Sequence, residues 1–243
     1  MTKLYHTRES AEASFPTGSW QSVVYKELVS QLTSDLRPFP CTFAINGYRN
    51  DDLRFLFQET PNIPEFGEQL AMFLDEARSI GQNAALLYLT GMETVEPLED
   101  YSARFWTILN ELAKVDRKPW PEDIPQDLDS PEWEFCFNGE PIFVVCTNPA
   151  HVKRQSRRSS TFAMSLQPRW VFDRILFSDR AANIVFNNIR KRMQPYDALP
   201  PSPALGRYKD PNVREAQQYV LSEDDSILRC PFHQLESRQA EDA

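Results

Sequence analysis

The sequence predicts an α+β fold: one domain built on a mainly antiparallel sheet with helices packed against it. Three observations carry that expectation. Two runs rich in aromatic and β-branched residues, Glu132–Phe137 and Glu140–Thr147, flank an Asn138-Gly139 pair. Asn-Gly accepts the positive φ angles of a type I′ turn, so these runs read as a hairpin. From Leu98 to Val115 the apolar residues Leu98, Tyr101, Phe105, Ile108, Leu109 and Leu112 fall on one helical stripe. Finally, 243 residues with 41% hydrophobic content can bury one sizeable core without staples.

In chain order, residues 1–16 read as a poorly ordered lead-in to a single domain over 17–233, followed by a flexible tail over 234–243. Thr17-Gly18-Ser19 can cap a helix from Trp20 to about Leu32, whose residues Trp20, Val23, Val24, Leu28 and Leu32 share a face. Arg37-Pro38-Phe39-Pro40 stops it and forces extended chain. Cys41–Ile45 is then expected as a short strand, and Asn46–Asp52 as a turn. Leu53–Phe57 fits either strand or helix. A helix with Pro64 in its first turn runs to about Ser79. Ala84–Leu89 is a short apolar run of the buried-strand type. Lys118–Pro131 is a proline-rich connection. Ser160–Leu166 suits a strand, Pro168 opens a helix to about Phe177, and further helices cover about 181–193 and part of 212–221.

Composition excludes several classes. A net charge of −9 argues against general nucleic-acid binding. No run of about 18 apolar residues occurs, so no membrane-spanning helix is expected. The first residues, MTKLYHTRESAEAS, lack the apolar centre of a secretory leader, and a cytoplasmic location is expected. Four scattered cysteines show no paired spacing and read as free thiols. No Gly-rich phosphate loop and no Gly-x-Ser-x-Gly elbow is present.

Against the acidic background, NPAHVKRQSRR (Asn148–Arg158) gathers Lys153, Arg154, Arg157, Arg158 and one of three histidines at the end of a core strand. Pro149 ends the strand, so His151 stands where a loop leaves the sheet. Guanidinium groups grip carboxylates or phosphates bidentately, and neutral imidazole is a common metal ligand. The combination suits an anionic, metal-containing ligand; a solvated basic loop paired with the acidic remainder is the plainer alternative. In RPFPCTFA, two prolines set the backbone before Cys41, which can present a thiolate to a metal, haem iron included, or simply pack as a small hydrophobe. Cys230 and His233 in RCPFH have a spacing possible for two zinc ligands, but no second pair completes a site.

Taken together and in order, FPC (Phe39–Cys41), NPAHVKRQSRR, QPRWVFD (Gln167–Asp173), IRKRMQPYD (Ile189–Asp197) and CPF (Cys230–Phe232) resemble the YqcI/YcgG-type family over about Trp20–His233. Its characterised members are haem-dependent N-oxygenases acting on guanidine-like or amino-heterocyclic nitrogen. The resemblance implies haem b as cofactor, with Arg154, Arg157, Arg158 and Arg169 as clamps for its two propionates. It implies Cys41 or His151 as the iron ligand, Cys41 first, because a thiolate pushes electron density toward iron and favours O–O cleavage. Tyr219 and Trp170 are further candidates for the pocket. The implied partners are a small amine or guanidine, O2 and an external reductase, since no flavin or nicotinamide fingerprint is present. Three alternatives stay open at this point: a haem sensor or carrier without turnover, a cofactor-free anion-binding module, and, more distantly, a Cys–His hydrolase.

Overall fold

The computed structural model describes residues 2–228, except Phe177 and Tyr208. Its elements run α1 (Arg8–Ser14), α2 (Trp20–Thr33), α3 (Thr42–Arg49), β1 (Leu53–Gln58), α4 (Ile63–Ile80), β2 (Ala85–Thr90), α5 (Leu98–Val115), β3 (Phe135–Phe137), β4 (Glu140–Thr147), β5 (Ala163–Pro168), α6 (Arg169–Ile175), α7 (Asp179–Met193) and α8 (Ala216–Tyr219). Local chemistry sets many of these boundaries. Ser19 caps α2 by accepting from the Ser22 N–H, and Asn62 caps α4 by accepting from the Glu65 N–H. Asn138 and Gly139, at φ 55° and 74°, make the turn between β3 and β4. Within the expected lead-in, Thr7 and Ser10 form a capping box for α1, and His6 bridges the backbone of Phe55 on the edge strand.

The five strands form one sheet in the order β1-β2-β5-β4-β3. Strand β1 runs parallel to β2, with α4 as the crossover; the other pairs are antiparallel. The mainly antiparallel α+β expectation therefore holds. Side chains alternate between the two faces of the sheet. On one face Leu86, Tyr88, Ile142, Val144, Met164 and Leu166 are buried against α4 and α5. Tyr88 stacks on Phe66 of α4 with ring centroids 4.1 Å apart. Each such side chain contributes about 1.5–3 kcal/mol by leaving water. The other face presents Leu87, Ser165 and Val145 in one row across β2, β5 and β4, all only half-buried. Helices α2, α3, α6 and α7 arch over this second face without sealing it.

Two expectations are corrected. Cys41–Ile45 is not a strand: Cys41 is the extended residue just before α3, and Asn46–Arg49, expected as a turn, completes that helix. Tertiary packing decides this. Gly47 lies so close to the sheet that a Cβ there would sit 2.7 Å from a Leu53 side-chain carbon and 3.1 Å from the Asn83 carbonyl oxygen. The helix docks on the end of β1 through that glycine, a contact no local pattern announces.

The turn geometry has a measurable consequence. Gly139→Val puts a β-branched residue at φ 74° and is expected to lower stability by about 1–2 kcal/mol, read as a reduced urea midpoint with unchanged slope.

Candidate functional site

The half-sealed face of the sheet is the floor of a cavity of about 300 Å3. Leu87, Leu89, Phe143 and Val145 make the floor, α2 and α3 one wall, and Phe172 of α6 with α7 the other. The lining is mostly apolar with a few convergent polar groups, as in ligand sites generally. Those polar groups include the Ser156–Ser159 loop, Glu27 of α2, the pair Arg169 and Glu215, and Gln167, Arg190 and Gln218.

Cys41 enters this wall from the proline-set approach Phe39-Pro40. It stays partly accessible and has no disulfide partner. Burial among protein atoms pushes its thiol pKa up. The amides of Phe43 and Ala44 at the start of α3, and the charges of Arg157 and Arg192, act in the opposite sense and favour the thiolate. The helical start that replaced the expected strand thus aims amides at the sulfur.

The basic segment divides its labour. Asn148 ends the strand pairing and bonds back to Arg157 and Ser159 through the backbone, and a single 3-10 turn spans Gln155–Arg157. Arg157 is 7% exposed and lines the cavity. Its guanidinium donates to the carbonyls of Gln218 (3.1 Å) and Tyr219 (3.4 Å). Among the described residues no carboxylate reaches it as a salt-bridge partner. Asp197, which acts on it through space, gives its own oxygens to the N–H and hydroxyl of Ser156. Burial pulls Arg157 down to about 10, the signature of a cation held in the interior with incomplete compensation. Arg158 also lines the cavity and donates to the carbonyls of Pro149 and His151.

Arg169 lines the cavity too, but it is engaged by Glu134 and Glu215, which bond its Nε and terminal nitrogen. Burial raises the Glu215 carboxyl, against the pull of Arg169. The Glu215 side chain also accepts from the Tyr219 hydroxyl at 3.1 Å. Tyr219 itself lies fully buried beneath the β3–β4 hairpin, and Trp170 lies under the Arg78 guanidinium at 4.9 Å.

His151 and Arg154 do not line the cavity. Both are 0% exposed and fasten the chain after α8 to the basic loop. The His151 ring donates from Nδ1 to Glu223 at 2.9 Å, and Nε2 is enclosed with no hydrogen-bond partner among the described residues. Arg154 donates to the carbonyls of Ser222 (2.6 Å) and Pro200 (3.1 Å) and pairs with Asp225. Cys41, Arg157, Arg158 and Arg169 are therefore brought together, and His151 and Arg154 stand behind them. Cys230, His233 and the CPF motif lie outside the described residues. Sequence reasoning did not single out Glu27 or Phe172 for the site. Glu27 sits at i+3 from Val24 on the face of α2 that lines the cavity, a position open to a pattern search only once that face is known to meet a ligand space rather than core.

Comparison with known proteins joins this geometry to a lineage. The family model described as the YqcI/YcgG family matches residues 26–233. The chain belongs to the YqcI/YcgG family. It is 35% identical to the uncharacterized protein YqcI of Bacillus subtilis (strain 168), over 98% of this chain and 97% of the relative. Identity to YcgG of the same organism is 38%, over 90% of each. It is 31% identical to a Streptomyces lavendulae protein named "Putative N(omega)-hydroxy-L-arginine synthase DcsA", over 88% of this chain and 84% of that protein. No solved structure matches the chain at a significant level. Among the described residues no helix is long and apolar enough to cross a membrane.

The fastening residues set a pH dependence. Burial lowers the His151 pKa, so the folded protein holds the neutral ring and loses stability as pH falls below the unfolded value of about 6.5. Burial alone would raise Glu223, but bonds from His151 and the N–H groups of Lys153 and Arg154 outweigh it and lower its pKa. Its contribution is present above the unfolded value of about 4.3 and is lost below it. Urea unfolding at stepped pH is expected to show stability falling from about pH 6.5 downward, with His151→Gln flattening the upper part of that slope. Arg154→Ala removes a buried, multiply bonded cation and is expected to cost about 3 kcal/mol or more at pH 7.

Proposed function

We propose that this cavity binds haem b, with Cys41 as the iron ligand, and that the protein hydroxylates a nitrogen of a small guanidine or amine using O2 and external electrons. The observation that carries the reading is Arg157, a buried cation without a carboxylate salt-bridge partner among the described residues, on the same apolar cavity as the Cys41 thiol. The donor set fits the group. Haem brings four nitrogen ligands of its own, so one protein sulfur can complete its attachment. The apolar floor and the Phe143 and Phe172 rings suit a flat macrocycle, and Arg157 and Arg158 suit its carboxylates. Family membership, with a relative whose name refers to N(omega)-hydroxy-L-arginine, supports nitrogen of the guanidine type as the target.

When bound, haem supplies activation of dioxygen. Placing one oxygen atom on nitrogen and releasing the other as water requires two electrons and two protons. The sequence carries no nicotinamide or flavin fingerprint, so an external reductase is the proposed electron source. The chain's own residues hold the sulfur at the cavity wall, neutralise the carboxylate edge of the cofactor, and keep bulk water from the apolar floor.

The absorption spectrum of protein reconstituted with haem tests this. A Soret band is expected, with the red-shifted ferrous–CO band of thiolate ligation. Cys41→Ser is expected to abolish that shifted band, and Arg157→Ala to weaken haem affinity roughly tenfold or more. Absence of a Soret band after reconstitution would overturn the reading in favour of a cofactor-free anion site at Arg157. A persistent shifted band in Cys41→Ser would move the ligand elsewhere.

A further inference from the structure

Two glutamates line the cavity, Glu27 and Glu215, and they are in opposite situations. Glu215 is already satisfied inside the protein by Arg169 and the Tyr219 hydroxyl. Glu27 is not. It lies on α2 within a stripe formed by Val24, Leu28 and Leu32, all facing the cavity with it. The side chain is half-buried there, so its carboxyl borders the cavity instead of being sealed in core. Among the described residues Glu27 has no Lys or Arg partner. Its Oε2 accepts from the N–H of Ser160 at 3.0 Å and from the Ser160 hydroxyl. Both donors grip the same oxygen, which fixes the side chain and leaves Oε1 without a donor among the described residues.

The placement has a chemical logic. Ser160 follows Arg157-Arg158-Ser159 directly, so one loop sets both the cationic groups of the cavity and the orientation of its acidic group. A cavity with guanidinium groups for an anion and, for a cation, a carboxyl fixed through one oxygen with the other undonated among the described residues is built to sort the two ends of its contents. We propose that Glu27 binds the cationic guanidinium or ammonium group of the substrate in this cavity and selects cationic over neutral substrates. This rests on the N-hydroxylation reading above. The resulting charge-assisted bonds form in a low-dielectric site, where they are strong and where a neutral analogue leaves the carboxyl unpaired.

Calorimetric titration of haem-reconstituted protein with L-arginine and guanidinium chloride, and with the neutral analogues L-citrulline and urea, tests the inference. The wild type is expected to prefer the cation of each pair. Glu27→Gln, close to isosteric, is expected to lose roughly 10- to 100-fold in affinity for the cations, with little change for citrulline and an unchanged Soret absorbance per protein. Glu27→Asp, which keeps the charge, is expected to retain the preference. Equal arginine affinity in wild type and Glu27→Gln would overturn the role of Glu27 while leaving the N-hydroxylation reading standing. Wild type that takes up haem but binds neither cation would overturn the substrate class itself, and this inference with it.

Discussion

Successive side chains on a strand point to opposite faces, and everything distinctive about this protein follows from how differently those two faces are used. On β2, β5 and β4 one set of side chains, including Leu86, Leu166 and Val144, is sealed at 0% exposure against α4 and α5. The alternate set, Leu87, Ser165 and Val145, is left half-buried under an open arch of helices. The first face supplies the burial that makes the domain stable. That stability lets the second face remain incompletely packed, since a fold must draw the cost of a ligand cavity from elsewhere in the structure.

The basic loop after β4 shows the same separation within a few residues. Arg154 precedes a single 3-10 turn and Arg157 ends it, so three residues of spacing send one guanidinium to the carbonyls of Ser222 and Pro200 and the other to the cavity wall. His151 and Glu223 reinforce the first arrangement. The loop is thereby rigid where it presents Arg157, Arg158 and the Ser160 donors, and a rigid frame is what a binding site on a loop needs. The buried trio Glu134, Arg169 and Glu215 adds a second charged cluster at the cavity edge, with the Arg169 guanidinium also lying 5.5 Å from the Phe172 ring. Such clusters add little net stability but hold neighbouring side chains to one geometry.

Much of the architecture was legible beforehand because its signals are local. The Asn138-Gly139 turn, the Leu98–Val115 stripe and the Ser19 cap each depend on the backbone preferences of a few adjacent residues. The start of α3 was not legible. Thr42–Arg49 contains Ile45, Asn46 and Gly47, which favour strand or turn by propensity, and helix wins only because Gly47 permits close docking on Leu53 and Asn83. In the site, the clustering of cations over 153–158 and the proline-set Cys41 were visible as residue types. Their assignment was not: His151 and Arg154 look as available as Arg157 until Glu223, Asp225 and Ser222 are seen to engage them.

By itself, then, the sequence determined the α+β class, most element positions, the family to which the chain belongs, and the chemical types gathered near a site: a thiol and several guanidiniums. The class, the elements and the residue types follow from short-range periodicity and composition, which survive in one dimension; the family shows in the order of a few short motifs along the chain. Tertiary structure alone decided that Cys41, Arg157 and Glu27 share one cavity although 116 and 130 positions separate Arg157 from the other two. It also decided that Arg154 meets a carboxylate, that of Asp225, while Arg157 meets only carbonyls among the described residues. Those outcomes depend on partners brought together across the sheet, and no spacing along the chain encodes which carbonyl or carboxylate a given side chain will meet.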